Sequence, residues 1–339
     1  RANPSNTMKT QDYPTGEMIR DIWAFIAPSK TKFFLGSFAR ITSDIVWLFP
    51  IWALSEIITF AAGYQSGEDQ TFAWMLLLAI SFSSLYHFVF HDISKYLLYQ
   101  VAENANIDAQ KKAIRHLYAI DLHWHERENS GNKMQRIVKG GGSLNAIIRI
   151  YVDLFIESTI NVVAILIILF ALDWRLSAIL LFFFFSYYLL SYFLTKKAVH
   201  QSHLTNLEWE NFNGIAFESI NNISLVKSLR IGEKIFPFLV SIGNRLTSKI
   251  KNRIYYYRVR AGTLNLYQEI FRMAMVAFTI WQIFEGNFAI GTITMVLLYF
   301  GKIEAAAYEF SETYSEFVTA KIAMLRMKEI FGRCNLLGV

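Results

Sequence analysis

The sequence is poor in the features that stabilise secreted scaffolds and in those that carry enzyme chemistry. Its 339 residues include a single cysteine, Cys334, so no disulfide can form within the chain. Charged residues make up 18% of it, against ~25% in a typical soluble domain. The phosphate-loop pattern G-x-x-x-x-G-K-[ST], the metalloprotease pattern H-E-x-x-H and the hydrolase pattern G-x-S-x-G do not occur. We therefore predict no catalytic residues in this chain.

Apolar residues, in contrast, are abundant: 54% of the chain is hydrophobic and 16% is aromatic. Six stretches reach or approach the ~20 residues that a helix needs to cross a bilayer. They are approximately 33–62, 71–95, 147–172, 176–195, 261–284 and 288–310. The fourth, LSAILLFFFFSYYLLSYFLT, carries no charge. The composition predicts an all-α polytopic membrane protein with six transmembrane helices.

The basic residues lie almost entirely on one side of these stretches. The long connections 100–140 and 196–260 hold 18 Lys and Arg, whereas the short connections 63–70, 173–175 and 285–287 hold only Arg175. Because cytoplasmic loops are enriched in Lys and Arg, we expect both termini and both long connections in the cytoplasm, with the protein in the plasma (inner) membrane. The net charge of +6 then reflects membrane topology, and no nucleic-acid partner is expected.

The two long connections continue with helical composition rather than with Gly, Pro and Ser. A helix over 71–120 would be ~75 Å long, against a hydrocarbon core of ~30 Å. The long transmembrane helices are therefore predicted to extend far into the cytoplasm. Pro237 and Gly243 are expected to kink or interrupt the helix that leads into the fifth span.

Four segments carry a resemblance to a known family: HWHERENSGNKMQRI (123–137), FNGIAFESINNISLVKSLRIGEKI (212–235), FEGNFAIGTITM (284–295) and YSEFVTAKIAMLRMKEIF (314–331). In their order and spacing they resemble the transmembrane domain of six-span, domain-swapped ABC exporters, over residues 20–333. Residues 1–19 are then an N-terminal tail. Residues 1–7 precede Met8, so they are interpreted as a cloning remnant or as residues that follow a start codon further upstream, and they carry no part of the fold prediction. Residues 334–339 would begin a linker to a nucleotide-binding domain that these 339 residues do not contain.

The resemblance implies an ATP-driven exporter that works by alternating access on an unidentified substrate. It implies a dimer of twelve spans, formed with a second copy or with a homologous transmembrane subunit. It also implies nucleotide-binding domains as partners, which would bind ATP and Mg²⁺, while this chain itself holds no cofactor. Two cytoplasmic coupling helices would transmit the movement of the ATPase.

The first coupling segment contains two histidines and admits three interpretations. His123 and His125 project ~200° apart on a helix, so a zinc site there would need an extended segment and a third ligand such as His116. A solvated charged turn is the second interpretation, and a coupling helix anchored by Trp124 is the one that the resemblance favours. We predict no metal site. The predicted coupling residues are Trp124, His125, Glu126 and Arg127 in the first tip, and Phe212, Ile215, Phe217 and Glu218 in the second.

Ionisable residues inside the predicted spans are candidates for a substrate cavity, because charges in a bilayer are costly. The candidates are Arg272, Glu269, Glu157, Lys302, Glu304, Glu309, His91 and Asp92. Arg272 is the preferred contact for an anionic group, and Glu304 and Glu309 are preferred for a cation. The alternative is that opposite charges at similar depth form interhelical ion pairs that hold the helices together.

A second function remains open at this stage. Some proton-coupled peptide or small-molecule carriers share this transmembrane fold and have no ATPase. In that case Glu304, Glu309, Glu312 and Glu316 would form a proton ladder on the sixth helix. A solvated acidic stripe is the simpler explanation of the last three.

Overall fold

The computed structural model describes residues 13–120 and 130–331, and every regular element in these ranges is helical. The helices are α1 (Thr15–Ile26), α2 (Lys30–Val46), α3 (Phe49–Gly63), α4 (Thr71–Ala119), α5 (Ser130–Ile150), α6 (Glu157–Leu172), α7 (Trp174–Asn221), α8 (Ile223–Ser228), α9 (Gly232–Phe284) and α10 (Thr292–Phe331). A 3-10 turn at Ala27–Ser29 joins α1 to α2, and a π-helical segment at Tyr151–Ile156 joins α5 to α6. The all-α prediction is confirmed for this part of the chain.

Three helices are far longer than a membrane is thick. α4 has 49 residues, α7 has 48 and α9 has 53, so each is ~70–80 Å long. The predicted helix over 71–120 is confirmed. The predicted interruption at Pro237 or Gly243 is wrong, because α9 runs through both positions. Pro237 is the sixth residue of α9, so it removes only one backbone hydrogen bond, close to the helix start.

Four helical stretches of the described chain are long and apolar enough to cross a membrane: Thr15–Gly63, Thr71–Ala119, Lys133–Leu172 and Trp174–Asn221. Only 11% to 33% of their most apolar windows is buried inside the protein, so most of these side chains face outward, as lipid contact requires. The fifth and sixth predicted spans lie in α9 and α10 and are not confirmed. Polar residues such as Gln268, Glu269 and Arg272 in α9, and Lys302 and Glu304 in α10, lower the hydropathy there.

The chain forms two compact units, residues 1–172 with 279–339 (unit 1) and residues 173–278 (unit 2). In unit 1, α4 packs against α2 and α5, and α10 packs against α3, α5 and α6. Ala102, Ala105, Ala109 and Ala113 lie on one face of α4 at a spacing of three or four residues, and each is at most 1% exposed. Because these side chains are small, the neighbouring helices can approach α4 closely, and Leu144 of α5 is fully buried in the same core.

The glycine run 140–142 lies inside α5 and brings it close to two other helices. A Cβ atom on Gly140 would overlap the side chain of Met327 in α10, including its Cβ. One on Gly141 would lie 2.5 Å from Asn106 Oδ1 in α4. Gly142, in contrast, has no such neighbour within 4 Å. The run is therefore a packing feature of a helix rather than a phosphate-binding loop.

Gly140→Ala is expected to destabilise unit 1 by about 1–3 kcal/mol, because the new methyl group overpacks a tight contact. The matched control is Gly142→Ala, two residues along the same helix, which has open space and should be neutral or stabilising by up to ~1 kcal/mol. Thermal denaturation in detergent, followed by the fraction that stays monodisperse, checks both. Equal behaviour of the two variants would contradict the close approach of α5 and α10.

The N-terminal helix α1 is fixed to the end of α10 by a polar cluster. Lys328 Nζ donates to Glu17 Oε1 at 2.7 Å and also to Asp21, while the Tyr13 hydroxyl donates to Asp21 at 2.8 Å. Burial of the Lys328 ammonium lowers its pKa, but the hydrogen bonds to Asp21 and Glu17 outweigh this, so the pKa is raised overall. The contact is therefore present at neutral pH and is lost as the pH rises through the raised pKa of Lys328 or falls through the lowered pKa of Asp21.

In unit 2, aromatic and hydroxyl groups join α7 to α9. Phe183 is fully buried and its ring lies 6.2 Å from Tyr267 and 5.4 Å from Phe271. The Tyr267 hydroxyl donates to Ser186 Oγ at 2.5 Å. Further along, Thr205 Oγ1 donates to the backbone oxygen of Lys249 at 3.3 Å. The two long helices therefore run side by side over more than the length of a membrane span.

Candidate functional site

The most deeply buried charge in the described chain is Arg40, on α2 of unit 1. Its side chain is fully buried. Arg40 Nε lies 2.9 Å from Asp44 Oδ2, one helical turn away, and Arg40 Nη2 lies 2.5 Å from Glu157 Oε2 at the start of α6. A buried charge is tolerated only when it is paired. The guanidinium is held by two carboxylates from two helices.

Two histidines of α4 complete the cluster. Arg40 Nη1 lies 2.6 Å from His91 Nδ1 and 3.0 Å from its Nε2, and since arginine can only donate, the imidazole is the acceptor of this contact. His87 Nδ1 lies 2.9 Å from Ser43 Oγ, and its ring stacks on Trp47 at 4.4 Å. We call Arg40, Asp44, His87, His91 and Glu157 the Arg40 cluster.

Asp44, His87 and His91 meet one geometric condition for a metal site, because one ligand atom from each lies within 4.8 Å of the others. The Arg40 guanidinium, however, already lies against Asp44 and His91 and supplies the positive charge. A metal ion would have to displace it and leave a second cation unpaired in a low-dielectric interior. The geometry therefore favours arginine as the cation of this cluster.

A polar ladder continues from the Arg40 cluster along the contact of α4 with the segment from α5 to α6. Lys95 Nζ lies 3.4 Å from Asp153 Oδ1, and the Tyr99 hydroxyl donates to the same carboxylate at 2.9 Å. One turn further, Arg149 Nη2 pairs with Glu103 Oε1 at 3.0 Å. Interhelical ion pairs therefore join the helices of unit 1, and of the residues that form them only Glu157 was among the predicted cavity residues.

The predicted cavity residues of unit 1 are only partly brought together. Glu157 and His91 are members of the Arg40 cluster, and Lys302 approaches it, with Nζ 5.4 Å from the centre of the Trp47 ring. Asp92 is exposed, because the next residue on a helix is rotated by ~100° and so Asp92 points away from the packed face that carries His91. Glu309 is exposed and Glu304 is half-buried on α10.

The other two predicted cavity residues belong to unit 2. Arg272 Nη1 lies 2.6 Å from Glu269 Oε1, one turn earlier on α9. The two side chains are 29% and 49% exposed, so this ion pair is far more open than that of Arg40. A substrate role for Arg272 remains a prediction.

Arg40 was missed by the sequence analysis. Two weak signals pointed to it: the i, i+4 spacing of Arg40 and Asp44 on α2, and that of His87 and His91 on α4. Each spacing places opposite or complementary groups on one helix face. Neither spacing indicates that this face of α2 packs against this face of α4, or that Glu157 of α6 joins them.

The model of the ABC transporter transmembrane region matches residues 33–305, which is most of the chain. The chain belongs to this family. No curated protein matches the sequence. As an ABC transporter membrane region, the protein functions in transport across a membrane, and such regions generally dimerise and pair with nucleotide-binding domains.

Of the two predicted coupling tips of this ABC transporter region, only the second falls within the described residues. Trp124, His125, Glu126 and Arg127 lie outside them. Phe212, Ile215, Phe217 and Glu218 form the last turns of α7 rather than a separate short helix, because α7 continues through Gly214 to Asn221. The Asn222 amide donates to the backbone oxygen of Glu218 at 3.0 Å at the end of the helix.

The four residues of this second tip do not share one face. Phe212 and Ile215 are half-buried, whereas Phe217 is 66% exposed and Glu218 is exposed. Ile220, Leu229 and Phe236 add further apolar surface at the same turn and are 59% to 68% exposed. We call Phe217, Ile220, Leu229 and Phe236 the apolar tip of unit 2.

Proposed function

We propose that this chain is the transmembrane part of an ATP-driven exporter, which moves its substrate by alternating access. The observation that carries the proposal is the combination of helices ~70–80 Å long with the apolar tip of unit 2. A hydrocarbon core of ~30 Å accounts for less than half of each helix. The remainder suits a mechanical connection to a partner outside the membrane.

The apolar tip supports docking of a protein partner. Its large apolar side chains are exposed to water unless a partner covers them. Exposed apolar patches of this kind mark interaction sites. Glu218 and Lys227 provide exposed polar groups near this apolar surface. We propose that the tip is seated in a groove of a nucleotide-binding domain that binds ATP and Mg²⁺, and that the first tip, with Trp124 as its anchor, acts in the same way.

The proposal includes the membrane arrangement and the oligomer. The distribution of Lys and Arg supports cytoplasmic termini in the plasma (inner) membrane. Lipid-facing apolar surface supports membrane insertion of unit 2 as well as unit 1. We propose a dimer with a second copy or a homologous subunit, and six spans in each, which would give the twelve spans of a complete transporter.

Phe217→Ala is expected to lower substrate-stimulated ATPase activity of the complete transporter by about tenfold or more, because truncating an aromatic anchor typically costs ~2 kcal/mol of binding. The measurement is ATP hydrolysis and ATP-driven uptake by inside-out proteoliposomes. Asn213→Ala, an exposed polar residue one turn earlier, is the matched control and should leave both activities unchanged. Full activity of Phe217→Ala would reject the docking role of the tip.

The Arg40 cluster gives some support to a second function, a proton-coupled carrier. It places two carboxylates and two histidines around one buried guanidinium, which is a set of groups able to exchange protons. Transport by reconstituted protein separates the two functions. A dependence on ATP supports the exporter, whereas transport that follows a pH gradient and ignores ATP supports the carrier.

A further inference from the structure

Unit 2 contains a cavity between α7 and α9 that no part of the proposed transport mechanism uses. Its volume is about 560 Å³, within the range of ~300–1,000 Å³ that is usual for small-molecule sites. Its lining residues are Ser202 of α7 and Arg253, Ile254, Tyr257, Arg258 and Ala261 of α9. On α9, Arg253, Tyr257 and Ala261 are four residues apart, and Ile254 and Arg258 lie beside them, so all five are on one face of the helix.

The chemistry of this cavity fits an anion. Two arginines and the hydroxyl groups of Ser202 and Tyr257 offer hydrogen-bond donors, and the described lining includes no acidic side chain. Within the described part of unit 2, neither Arg253 nor Arg258 takes part in an ion pair. The arginine fork matches the oxygens of a phosphate in two parallel hydrogen bonds.

The cavity lies close to the predicted cytoplasmic end of the fifth span, which is where the headgroup of a phospholipid would be. Counted from Ala261, where the predicted fifth span begins, Arg258 lies ~5 Å and Arg253 ~12 Å further toward the cytoplasm. The headgroup layer extends roughly 5–8 Å beyond the hydrocarbon core, and long arginine side chains reach along the interface into it. Ala261 is the lining residue on the bilayer side of both arginines, so the acyl chains of a lipid bound there would leave past it.

We propose that this cavity binds the headgroup of an anionic phospholipid of the cytoplasmic leaflet. The phosphate lies between Arg253 and Arg258, the hydroxyls of Ser202 and Tyr257 bind its oxygens or the glycerol, and the acyl chains leave past Ala261. Basic cavities between transmembrane helices on the cytoplasmic side bind lipid phosphates in this way. The surrounding basic residues Lys249, Lys251 and Arg260 raise the local concentration of anionic lipid.

The test is native mass spectrometry of the purified full chain in detergent, with phosphatidylglycerol and phosphatidylcholine added in equal amounts. Wild type should retain phosphatidylglycerol preferentially. Arg253→Gln with Arg258→Gln should weaken that retention by about a hundredfold, since each substitution removes a charge-assisted hydrogen bond to the phosphate as well as a positive charge. Lys249→Gln with Lys251→Gln removes the same charge from the same helix but no cavity residue, and should weaken it at most severalfold.

Three results would overturn the proposal. Equal losses in the two double variants would show that only the overall charge of α9 attracts the lipid. Retention of phosphatidylcholine as strongly as phosphatidylglycerol would show that the cavity does not select an anionic headgroup. Complete displacement of the lipid by millimolar inorganic phosphate would assign the cavity to a free phosphate instead. A single monodisperse species for both double variants establishes that they are folded, as expected for replacements at exposed or half-buried positions of a helix.

Discussion

Arg40→Met is expected to destabilise unit 1 by about 3–5 kcal/mol, because it leaves the Asp44 and Glu157 carboxylates without their common cation. Asp44 is 2% exposed and cannot recover its solvation from water. The methionine fills much of the vacated volume, so the loss is mainly electrostatic. Denaturation in mixed micelles, followed by tryptophan fluorescence, measures the change.

The matched control for Arg40→Met is Lys111→Met, which removes a cation from the C-terminal part of α4, beyond its apolar stretch. Lys111 pairs with Asp108 at 3.8 Å, but its side chain is 73% exposed, so the loss should stay below ~1 kcal/mol. A triple variant, Arg40→Met with Asp44→Asn and Glu157→Gln, removes all three charges and should recover part of the stability. If Arg40→Met were as harmless as Lys111→Met, Arg40 would not be the centre of a buried cluster.

Gly291→Ala is expected to destabilise unit 1 by about 3 kcal/mol, at the upper end of the range for overpacking. Gly291 precedes α10, and its N–H donates to Thr59 Oγ1 at 3.1 Å in α3. A Cβ atom there would overlap the backbone oxygen of Ser55, which has no rotamer through which to move away. The start of α10 would have to separate from α3, with loss of the hydrogen bond to Thr59.

Gly301→Ala provides the control within the same helix. Gly301 is exposed and has open space around it, so alanine should cost nothing and can add up to ~1 kcal/mol of helix propensity. The temperature at which half of the protein remains monodisperse should fall for Gly291→Ala only. A parallel fall in both variants would mean that glycine is needed along α10 for flexibility rather than for its contact with α3.

The helical architecture was predictable because it depends on properties that are read along the chain. The uninterrupted apolar and helical composition over 71–120 gave α4 to within one residue at its end. The fifth and sixth spans are the weaker part of the prediction, since α9 and α10 carry charges within their apolar stretches. Pro237 misled the interpretation because its effect depends on how far it lies from the helix start, and that start is set by the turn at Arg230, whose φ is 50°.

The candidate site was less predictable because it depends on how helices are rotated about their axes. Counting residues from the end of a span gives the depth of an ionisable group, but not the face of the bundle to which it points. Arg40 and Glu157 are 117 residues apart, and no local pattern joins them. Arg272 was preferred for its depth, yet the structure pairs it with Glu269 on its own helix.

The polar ladder between α4 and the segment from α5 to α6 also determines how these helices can move. Lys95 meets Asp153 and Glu103 meets Arg149, so the two segments run in opposite directions with charges alternating along the seam. A slip of one turn, ~5.4 Å, would take Arg149 away from Glu103, and in one direction it would also bring Glu103 to Asp153. Sliding by one turn is therefore opposed by the loss of this ion pair in both directions and by like charges in one of them. A push at the C-terminal end of α4 is therefore carried along both segments together, as tilt or rotation rather than as sliding of one segment past the other.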